Sequence, residues 1–268
     1  MQQETARAFR AAYAEQRASE GRGAGGEAEL LALPYLETGP QAKNWQVRAR
    51  TFDHFVTQVL QPLAITRARP LRIADLGAGN GWLCYRLARL GHDPVAIDPR
   101  TDAVDGLGAA ASYKDHLFRM FRRISASFDA LPLHDRSYDL VVFNAALHYA
   151  IDLGSVLTEA ARVTDAGGSI AILDSPFYSR DRDGAAMVTE KRRAAARTFA
   201  DRGSVLLAPP FIEYLTRERL QQASGPLGLH WRRCRVRYPL WYELRPLLAA
   251  GGSRRSPSRF DIWEARLP

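Results

Sequence analysis

Apolar residues recur every three or four positions between Gln41 and Leu63, which predicts a helix with one buried face. Shorter apolar runs follow, each bounded by glycine, proline or polar residues, and they predict buried strands. The runs are Leu71 to Leu76, Pro94 to Asp98, Ile124 to Phe128, Tyr138 to Asn144 and Ser169 to Asp174. Between them lie segments long enough for helices, such as Trp82 to Leu90 and Leu153 to Val163. Strands that alternate with helices predict a parallel sheet with helices on both faces.

The two ends of the chain depart from this alternation. Thr5 to Arg17 predicts a short helix, and the glycines between Gly21 and Gly26 predict a flexible joint after it. Near the other end, Leu229 to Tyr238 and Arg259 to Arg266 predict an antiparallel pair that finishes the sheet. The stretch from Ser175 to Gly228 is far longer than an ordinary crossover between strands, so we expect extra helices over the site.

Composition narrows the class of protein. A chain of 268 residues, 46% of them hydrophobic, can bury one large core. Cys84 and Cys234 are far apart, which predicts neither a disulfide framework nor a metal site. Acidic residues interrupt the first segment, and no stretch approaches the roughly 20 apolar residues of a membrane span, so we expect a cytoplasmic protein with no membrane partner.

The formal net charge of +8, mostly arginine, raises the question of an anionic partner. We favour arginines spread over a solvated surface, and a nucleic-acid partner is the alternative that we do not favour. The candidate phosphate contacts are Lys191, Arg192, Arg193, Arg232, Arg233, Arg235, Arg237, Arg254 and Arg255.

A glycine-rich turn, Asp75-Leu76-Gly77-Ala78-Gly79-Asn80-Gly81, joins the first predicted strand to a helix. Such a turn brings backbone N–H groups and a helix N-terminus close to a ligand. Trp82 occupies the third glycine place of the dinucleotide fingerprint, and no Gly-Lys pair exists for a P-loop. An acid such as Asp75, directed into the pocket, would repel pyrophosphate and attract an ammonium group. The turn therefore predicts a positively charged ligand without phosphate.

The second predicted strand ends in Asp98, about 20 residues after the turn, where an acid can accept hydrogen bonds from two ribose hydroxyls. A strand-end acid that caps the next helix is the simpler alternative.

These segments together resemble a known family. Ile73 to Gly81, followed by Val95 to Pro99, looks like the first two motifs of class I S-adenosylmethionine (SAM) dependent methyltransferases. Leu131 to Val142 and Gly167 to Ile172 are similar to later motifs of the small-molecule branch, which includes quinone-biosynthesis methyltransferases. The resemblance implies a Rossmann-like α/β fold, a seven-stranded mostly parallel sheet with an antiparallel last strand and a helical cap.

The resemblance also implies a division of the chain and its cofactor, S-adenosyl-L-methionine. Residues 1–64 would form an N-terminal helical region or lid, and residues 65–268 the SAM-binding domain, with the insertion 175–228 as a substrate cap. The implied cofactor-binding residues are Asp75, Gly77, Ala78, Gly79, Asp98, Pro99, Ser127, Phe128 and Asn144. Asp75 and the glycines would bind the methionine end, Asp98 the ribose, and Ser127 with Phe128 the adenine. Ser127 stands where the family commonly has an aspartate, and its hydroxyl can still accept a hydrogen bond.

The acceptor is harder to infer. His148 follows the fourth strand, at the edge where open α/β sheets bind ligands, and is the candidate catalytic base; a packed or solvated histidine without a chemical role is the alternative. Aromatic residues in and around the motif block are the candidate substrate-binding residues: Tyr35, Trp45, Tyr149, Phe177 and Tyr178. Core packing is the alternative for the residues of the flanking segments.

We therefore expect a SAM-dependent methyltransferase with a small-molecule acceptor. An RNA or protein methyltransferase that uses the basic surface is one alternative, and a non-catalytic SAM-binding scaffold is another. The amine-methylating Asn/Asp-Pro-Pro-Tyr/Phe motif is absent, because the run after the fourth strand is Asn144-Ala145-Ala146-Leu147. Neither cysteine is placed to serve as the nucleophile of a cytosine-C5 enzyme.

Overall fold

The computed structural model describes residues 3–19, 21, 26–198, 205, 209–251 and 255–268. Helices precede the sheet: α1 (Gln3–Ser19), α2 (Gly26–Ala32), α3 (Ala42–Phe55) and α4 (Gln61–Arg67). A π-helical turn, Val56–Leu60, joins α3 to α4, so the helix predicted from Gln41 is present and contains one wider turn. Most of the predicted glycine joint, residues 22–25, lies outside the described residues.

Seven strands form one sheet in the order β3-β2-β1-β4-β5-β7-β6. Their bounds are β1 (Arg72–Leu76), β2 (Asp93–Ile97), β3 (Arg122–Ile124), β4 (Tyr138–Asn144), β5 (Thr164–Leu173), β6 (Trp231–Cys234) and β7 (Ile262–Arg266). The first five strands run parallel, while β7 is antiparallel to both β5 and β6. The predicted fold class, including the antiparallel finish, is confirmed.

The third strand differs from its prediction. The apolar run Ile124 to Phe128 predicts a strand there, but the strand is the short edge segment Arg122–Ile124. Arg122 and Arg123 are exposed, as edge-strand residues often are, and so carry no apolar signal. Phe128 instead lies beyond the strand, where its ring contacts Phe143 edge-on at 6.0 Å between centroids.

The remaining helices cover the sheet and its connections. They are α5 (Trp82–Arg89), α6 (Leu153–Val163), α7 (Asp181–Thr198), α8 (Arg217–Ser224), α9 (Leu240–Glu243) and α10 (Arg245–Gly251), with short 3₁₀ turns at Ala109–His116, Leu147–Tyr149 and Gly225–Leu227. The long segment after β5 thus contains two described helices, of which α8 packs against α6.

Two hydrophobic clusters lie on the two faces of the sheet. Alternate residues of a strand point to opposite faces, so Ile73 of β1 belongs to one cluster and Ala74 to the other. Helices α3 to α5 cover the first cluster with residues such as Phe55, and α6 with α8 covers the second with residues such as Leu157. Both strand faces are therefore buried, which leaves the carboxyl ends of the strands as the open edge.

The opposite, amino edge of the sheet is fixed by ion pairs. Asp139, fully buried at the start of β4, accepts hydrogen bonds from both terminal nitrogens of Arg69, at 2.8 and 2.7 Å, and from the backbone N–H of Arg72. These contacts hold the pKa of Asp139 below its usual value, although burial alone would raise it. The carboxylate is fully paired there and is not available to a ligand.

Candidate functional site

A cavity of about 600 Å³ opens at the carboxyl edge of the sheet. Its floor is formed by residues that follow β1, β2, β4 and β5, and its outer wall by residues from α1, α3 and the segment around Phe211. Open α/β sheets bind ligands at this edge, and the volume lies within the range of small-molecule sites.

The glycine loop lies against the cavity floor and is held by the second strand. The N–H groups of Gly77 and Ala78 donate to the Ile97 carbonyl at 2.8 and 3.0 Å, and the Gly79 N–H donates to Oδ2 of Asp98 at 2.9 Å. The sequence predicts that such N–H groups approach a ligand, but in the structure these three donate to other residues of the protein. Gly77 adopts a φ of +80°, and a Cβ there would lie 2.3 Å from Cβ of Ala146. The loop contributes space at this point rather than hydrogen bonds.

Asp98 lines the cavity just beyond β2, as predicted from its place in the sequence. Besides the Gly79 bond, its Oδ1 accepts from the backbone N–H of Arg100 at 2.8 Å. Burial raises the pKa of Asp98, while these two backbone bonds counteract the rise. A carboxylate held in this way keeps a fixed orientation and retains lone pairs for a ligand hydroxyl.

Asp75 differs from its prediction. The sequence predicts a carboxylate directed into the pocket, but Asp75 is fully buried and is not among the residues that line the cavity. Its nearest polar partner is the thiol of Cys84 on α5, which donates at 3.6 Å. Burial raises the pKa of Asp75 to about 7. The side chain stands behind the glycine loop, because successive residues of a strand point to opposite faces of the sheet.

The ends of β3 and β4 supply the next part of the wall. Ser127, Phe128, Pro99 and Asn144 line the cavity, and so do Ala78 and Gly79 of the loop. Asn144 is buried, and its Oδ1 accepts no hydrogen bond from any residue that the structure describes. A buried acceptor without a partner costs free energy, so this atom is suited to a ligand donor.

His148 lines the cavity, but its surroundings do not suit a base. Burial, followed by the nearby charges of Lys191, Arg48 and Arg17, lowers its pKa to about 3. Its Nδ1 is buried without a hydrogen-bond partner among the described residues. An imidazole with so low a pKa stays neutral near pH 7 and takes up a proton poorly, so the predicted role as base is not supported by this environment.

Two of the five predicted substrate-binding residues reach the cavity, Trp45 and Tyr149. Tyr35 lies elsewhere: it is 47% exposed and donates to Asp53 at 2.8 Å. Phe177 stacks on Trp263 with 4.8 Å between ring centroids, and together with Tyr178 it lines a separate cavity of about 340 Å³. These three aromatic residues pack away from the main cavity, because their rings are taken up by other partners in the fold.

Sequence reasoning missed much of the outer wall. The missed residues are Phe9, Tyr13, Arg17, Arg48, Phe211 and Phe260. Helix α1 is held over the cavity because Nε of Arg17 donates to Asp105 at 2.8 Å and the hydroxyls of Tyr13 and Tyr149 lie 3.0 Å apart. No local motif marks these residues, since they reach the cavity only through the fold.

Asp174 was likewise missed as a site residue. It follows the end of β5, lines the cavity and is only 7% exposed. Burial raises its pKa above the ordinary value, partly offset by the charge of Arg48 and by a hydrogen bond from Thr51. The sequence signal is its place one residue after the fifth strand, where the apolar pattern marks it only as the end of that strand.

Residues 74–172, which include the glycine loop and the ends of β2, β4 and β5, match a family described as a methyltransferase domain. This segment of the chain is similar to methyltransferase domains, in agreement with the class I resemblance of its motifs. S-adenosylmethionine is the cofactor that this resemblance implies. The mostly parallel seven-stranded sheet with an antiparallel strand, and the glycine loop between β1 and α5, are those that the sequence resemblance implies.

Relatives in sequence match part of the chain. An uncharacterized methyltransferase of Mycobacterium tuberculosis is 35% identical over 102 residues, which cover 38% of this chain and 39% of the relative. A malonyl-[acyl-carrier protein] O-methyltransferase of Geobacter sulfurreducens is 33% identical over 132 residues, 48% of each chain. The match spans less than half of the length of either relative.

Solved structures share the overall fold. A SAM-dependent methyltransferase from Aquifex aeolicus superposes with a TM-score of 0.51 at 16% identity, covering 90% of this chain and 96% of the other. An O-methyltransferase family protein from Burkholderia thailandensis gives 0.54 at 16% identity, covering 85% and 60%. Within the described ranges, no helix is long and apolar enough to cross a membrane.

Proposed function

We propose that this chain transfers the methyl group of SAM to a small-molecule acceptor held in the cavity at the carboxyl edge of the sheet. The observation that carries the proposal is the continuity of that cavity, which joins the glycine loop and Asp98 to a wall of aromatic side chains. Methyl transfer is an in-line displacement, so the protein has to align two reactants and exclude water. One continuous cavity that takes both reactants, with α1 and α3 over it, meets both needs.

The residues present fit SAM. Gly77 leaves room that any Cβ would fill, and the Oδ1 of Asn144 offers a buried acceptor to the ammonium group of the methionine end. The carboxylate of Asp98 offers lone pairs to the ribose hydroxyls, and Ala78, Gly79 and Pro99 adjoin it. When bound, SAM supplies a methyl group on a positively charged sulfur.

The adenine would lie between the ring of Phe128 and the hydroxyl of Ser127. Both residues line the cavity on the side of β2 and β3, and Phe128 is steadied by its edge-on contact with Phe143. Asp75 would act on this site from behind the loop, through its contact with Cys84 and its charge, rather than by touching the ligand.

The N-terminal helical region would serve as the lid. Helix α1 places Phe9, Tyr13 and Arg17 on the cavity, and α3 places Trp45 and Arg48 there. The insertion after β5 contributes through Pro176 and Phe211. Because these side chains are mostly aromatic, we infer that the acceptor has an aromatic or apolar body.

Pairing of the surface charges favours a small acceptor over a nucleic acid. Of the basic residues considered as phosphate contacts, four form ion pairs with carboxylates: Lys191 with Glu213, Arg232 with Glu264, Arg233 with Asp261 and Arg255 with Glu190. Arg254 lies outside the described residues. A guanidinium that is paired with a carboxylate attracts phosphate less strongly than one that is not.

Titration calorimetry tests the proposed cofactor. We expect SAM to bind and NAD not to bind, and Asp98→Ala to weaken SAM binding by about 1 to 3 kcal/mol because hydrogen bonds to a charged group are lost. Asp93→Ala is the matched control, since Asp93 is exposed at the opposite end of the same strand and should leave the affinity unchanged. Binding of NAD instead of SAM, or full affinity in Asp98→Ala, would contradict the assignment.

A further inference from the structure

The ends of β4 and β5 meet at the cavity in a strained arrangement. Asn144 pairs with Leu173, and the next N–H along β4, that of Ala145, donates to the Leu173 carbonyl at 2.9 Å. Both Ala145, with a φ of 54°, and Asp174, with a φ of 48°, adopt the left-handed conformation without being glycine. Non-glycine residues in this conformation are strained and cluster at functional sites. Both residues line the cavity.

A hydroxyl network holds the carboxylate of Asp174. The Thr51 hydroxyl donates to Oδ1 of Asp174 at 2.7 Å and lies 2.9 Å from the hydroxyl of Tyr238. Tyr238 in turn donates to the Phe260 carbonyl at 2.7 Å. Within the part of the chain that the structure describes, the other oxygen, Oδ2, accepts no hydrogen bond. The network therefore fixes the carboxylate and leaves one oxygen for a ligand.

The other candidate bases on the cavity are exposed, committed elsewhere or weak. Asp129 lies on the exposed side of the cavity, next to Ser127 and Phe128, where its carboxylate is not held in a fixed position by any residue that the structure describes. Asp98 accepts two backbone N–H groups, and Asp105 accepts from Arg17, Arg100 and Asn80. His148 is a weak base, because burial lowers its pKa to about 3. Asp174 is the acid on this wall that has both a fixed position and an available oxygen.

We propose that Asp174 is a catalytic base, and that the methyl acceptor carries a phenolic hydroxyl or an amine on its aromatic or apolar body. This inference rests on the proposed function. The acceptor oxygen or nitrogen forms a bond to the methyl carbon while its bond to hydrogen breaks. The proton goes to Oδ2 of Asp174. The electron pair of the broken carbon–sulfur bond stays on sulfur, so charge and atoms balance.

The negative charge of Asp174 fits an acceptor that has an O–H or N–H proton to lose. Burial makes Asp174 a stronger base than an exposed aspartate, because its pKa is raised. An acceptor that is itself a carboxylate needs no base and would be repelled by Asp174. A carboxylate acceptor of the kind named for the Geobacter relative is therefore disfavoured here, although Arg48 moderates the repulsion.

A transfer assay with radiolabelled SAM tests the acceptor class. The probes are catechol and tyramine as phenols, aniline as an amine, and malonyl-coenzyme A as a carboxylate. We expect transfer to at least one phenol or amine and none to malonyl-coenzyme A. Transfer to malonyl-coenzyme A alone, or SAM binding without transfer to any phenol or amine, would overturn the acceptor class. Failure to bind SAM at all would instead refute the proposed function.

The isosteric variant Asp174→Asn tests the base. It should lower the transfer rate at least 100-fold, since a positioned base contributes about 10²- to 10⁴-fold, while the dissociation constant for SAM stays within threefold. Asp183→Asn is the matched control, a buried aspartate that does not line the cavity and should leave the rate unchanged. A wild-type rate in Asp174→Asn would overturn the base role.

Two further measurements distinguish a catalytic base from a residue that only supports the fold: the pH profile of a second variant, and a bound probe that does not react. Thr51→Val removes a bond that lowers the pKa of Asp174, so the acidic limb of the kcat/KM profile should move to higher pH. The charged or titratable groups that face Asp174 are Arg48 of α3, Tyr238 after β6 and Tyr242 of α9. An unmoved limb would count against Asp174.

The turnover-independent probe is 4-nitrophenol bound to protein that is saturated with S-adenosylhomocysteine. At the pH where the free probe is half ionised, wild type should hold it as the neutral phenol, because Asp174 accepts from the phenol and repels the phenolate. Its absorbance should shift toward the phenolate in Asp174→Asn. Equal spectra in the two proteins would overturn the contact.

Discussion

The hydroxyl of Tyr13 in α1 lies 3.0 Å from the hydroxyl of Tyr149, which follows β4. The two rings also meet edge-on, with 5.8 Å between their centroids. This contact joins the first helix to the floor of the cavity across 136 residues of sequence. Together with the ion pair between Arg17 and Asp105, it holds α1 as a cover over the cavity.

Loosening this cover should speed the release of SAM. In the double variant Tyr13→Ala with Arg17→Ala, we expect the dissociation rate, followed by stopped-flow fluorescence, to rise at least fivefold, because the hydroxyl contact with Tyr149 and the ion pair with Asp105 are removed. Ser19→Ala on the same helix removes only a local bond to Gln16 and serves as the control. An unchanged dissociation rate in the double variant would show that α1 does not retain the ligand.

The space at Gly77 can be tested against a matched glycine. Gly77→Ala should abolish measurable SAM binding and destabilise the fold, because the new methyl would overlap Ala146 at 2.3 Å in a backbone of positive φ. Gly91 has a similar φ of +85° with nothing within 4 Å of an added methyl, so Gly91→Ala should cost only about 1 to 2 kcal/mol of unfolding free energy and keep SAM affinity. Calorimetry and urea unfolding measure both quantities. Equal behaviour of the two variants would contradict the steric argument.

Asp75 should make the stability of the free protein depend on pH. Its pKa is raised by burial to about 7 from an ordinary value near 3.8, so the stabilisation of its protonated form is complete below pH 3.8 and is lost as pH rises through 7. Asparagine has no ionisable proton, so the variant Asp75→Asn does not lose stability in this way. We expect its free energy of unfolding, relative to that of wild type, to rise by roughly 1 to 4 kcal/mol between pH 5 and pH 8. Urea unfolding at the two pH values measures the gain. A constant difference between the proteins would contradict the raised pKa.

His148 should not titrate in the physiological range. Its pKa is lowered to about 3, so the imidazole stays neutral throughout pH 5 to 8. Nuclear magnetic resonance of histidine-labelled protein should show one ring signal that does not shift over that range, assigned by its loss in His148→Gln. Movement of that signal with a midpoint near pH 6.5 would restore the imidazole as a candidate base.

Much of the fold is accessible from the hydrophobic pattern. The fourth strand has its predicted bounds, Tyr138 to Asn144, because it is buried along its whole length and leaves a continuous apolar run. The prediction misplaces the third strand since that strand lies at the sheet edge, where Arg122 and Arg123 can be exposed. Pattern reasoning thus succeeds where burial dictates residue type and fails where it does not.

The sequence likewise predicts some of the site residues and not others. Asp98 and the glycine loop lie in consecutive segments with a fixed spacing, so a local motif can mark them. Tyr13 and Phe211 meet at the cavity from opposite ends of the chain, and nothing in their own surroundings predicts it. The motif does not predict the orientation of Asp75 either. The alternation along a strand tells which residues share a face, but only the fold decides which face meets the cavity.

The wall of the cavity that faces the acceptor is built from Phe9, Tyr13, Trp45, Arg48, Phe211 and Phe260, all outside the matched block 74–172. In the proposed function, the matched block would handle SAM and these outer residues would select the acceptor, so the two tasks lie on largely separate stretches of chain. We therefore expect substitutions in α1, α3 and the segment around Phe211 to change the acceptor preference while the loop at Gly77 keeps its affinity for SAM.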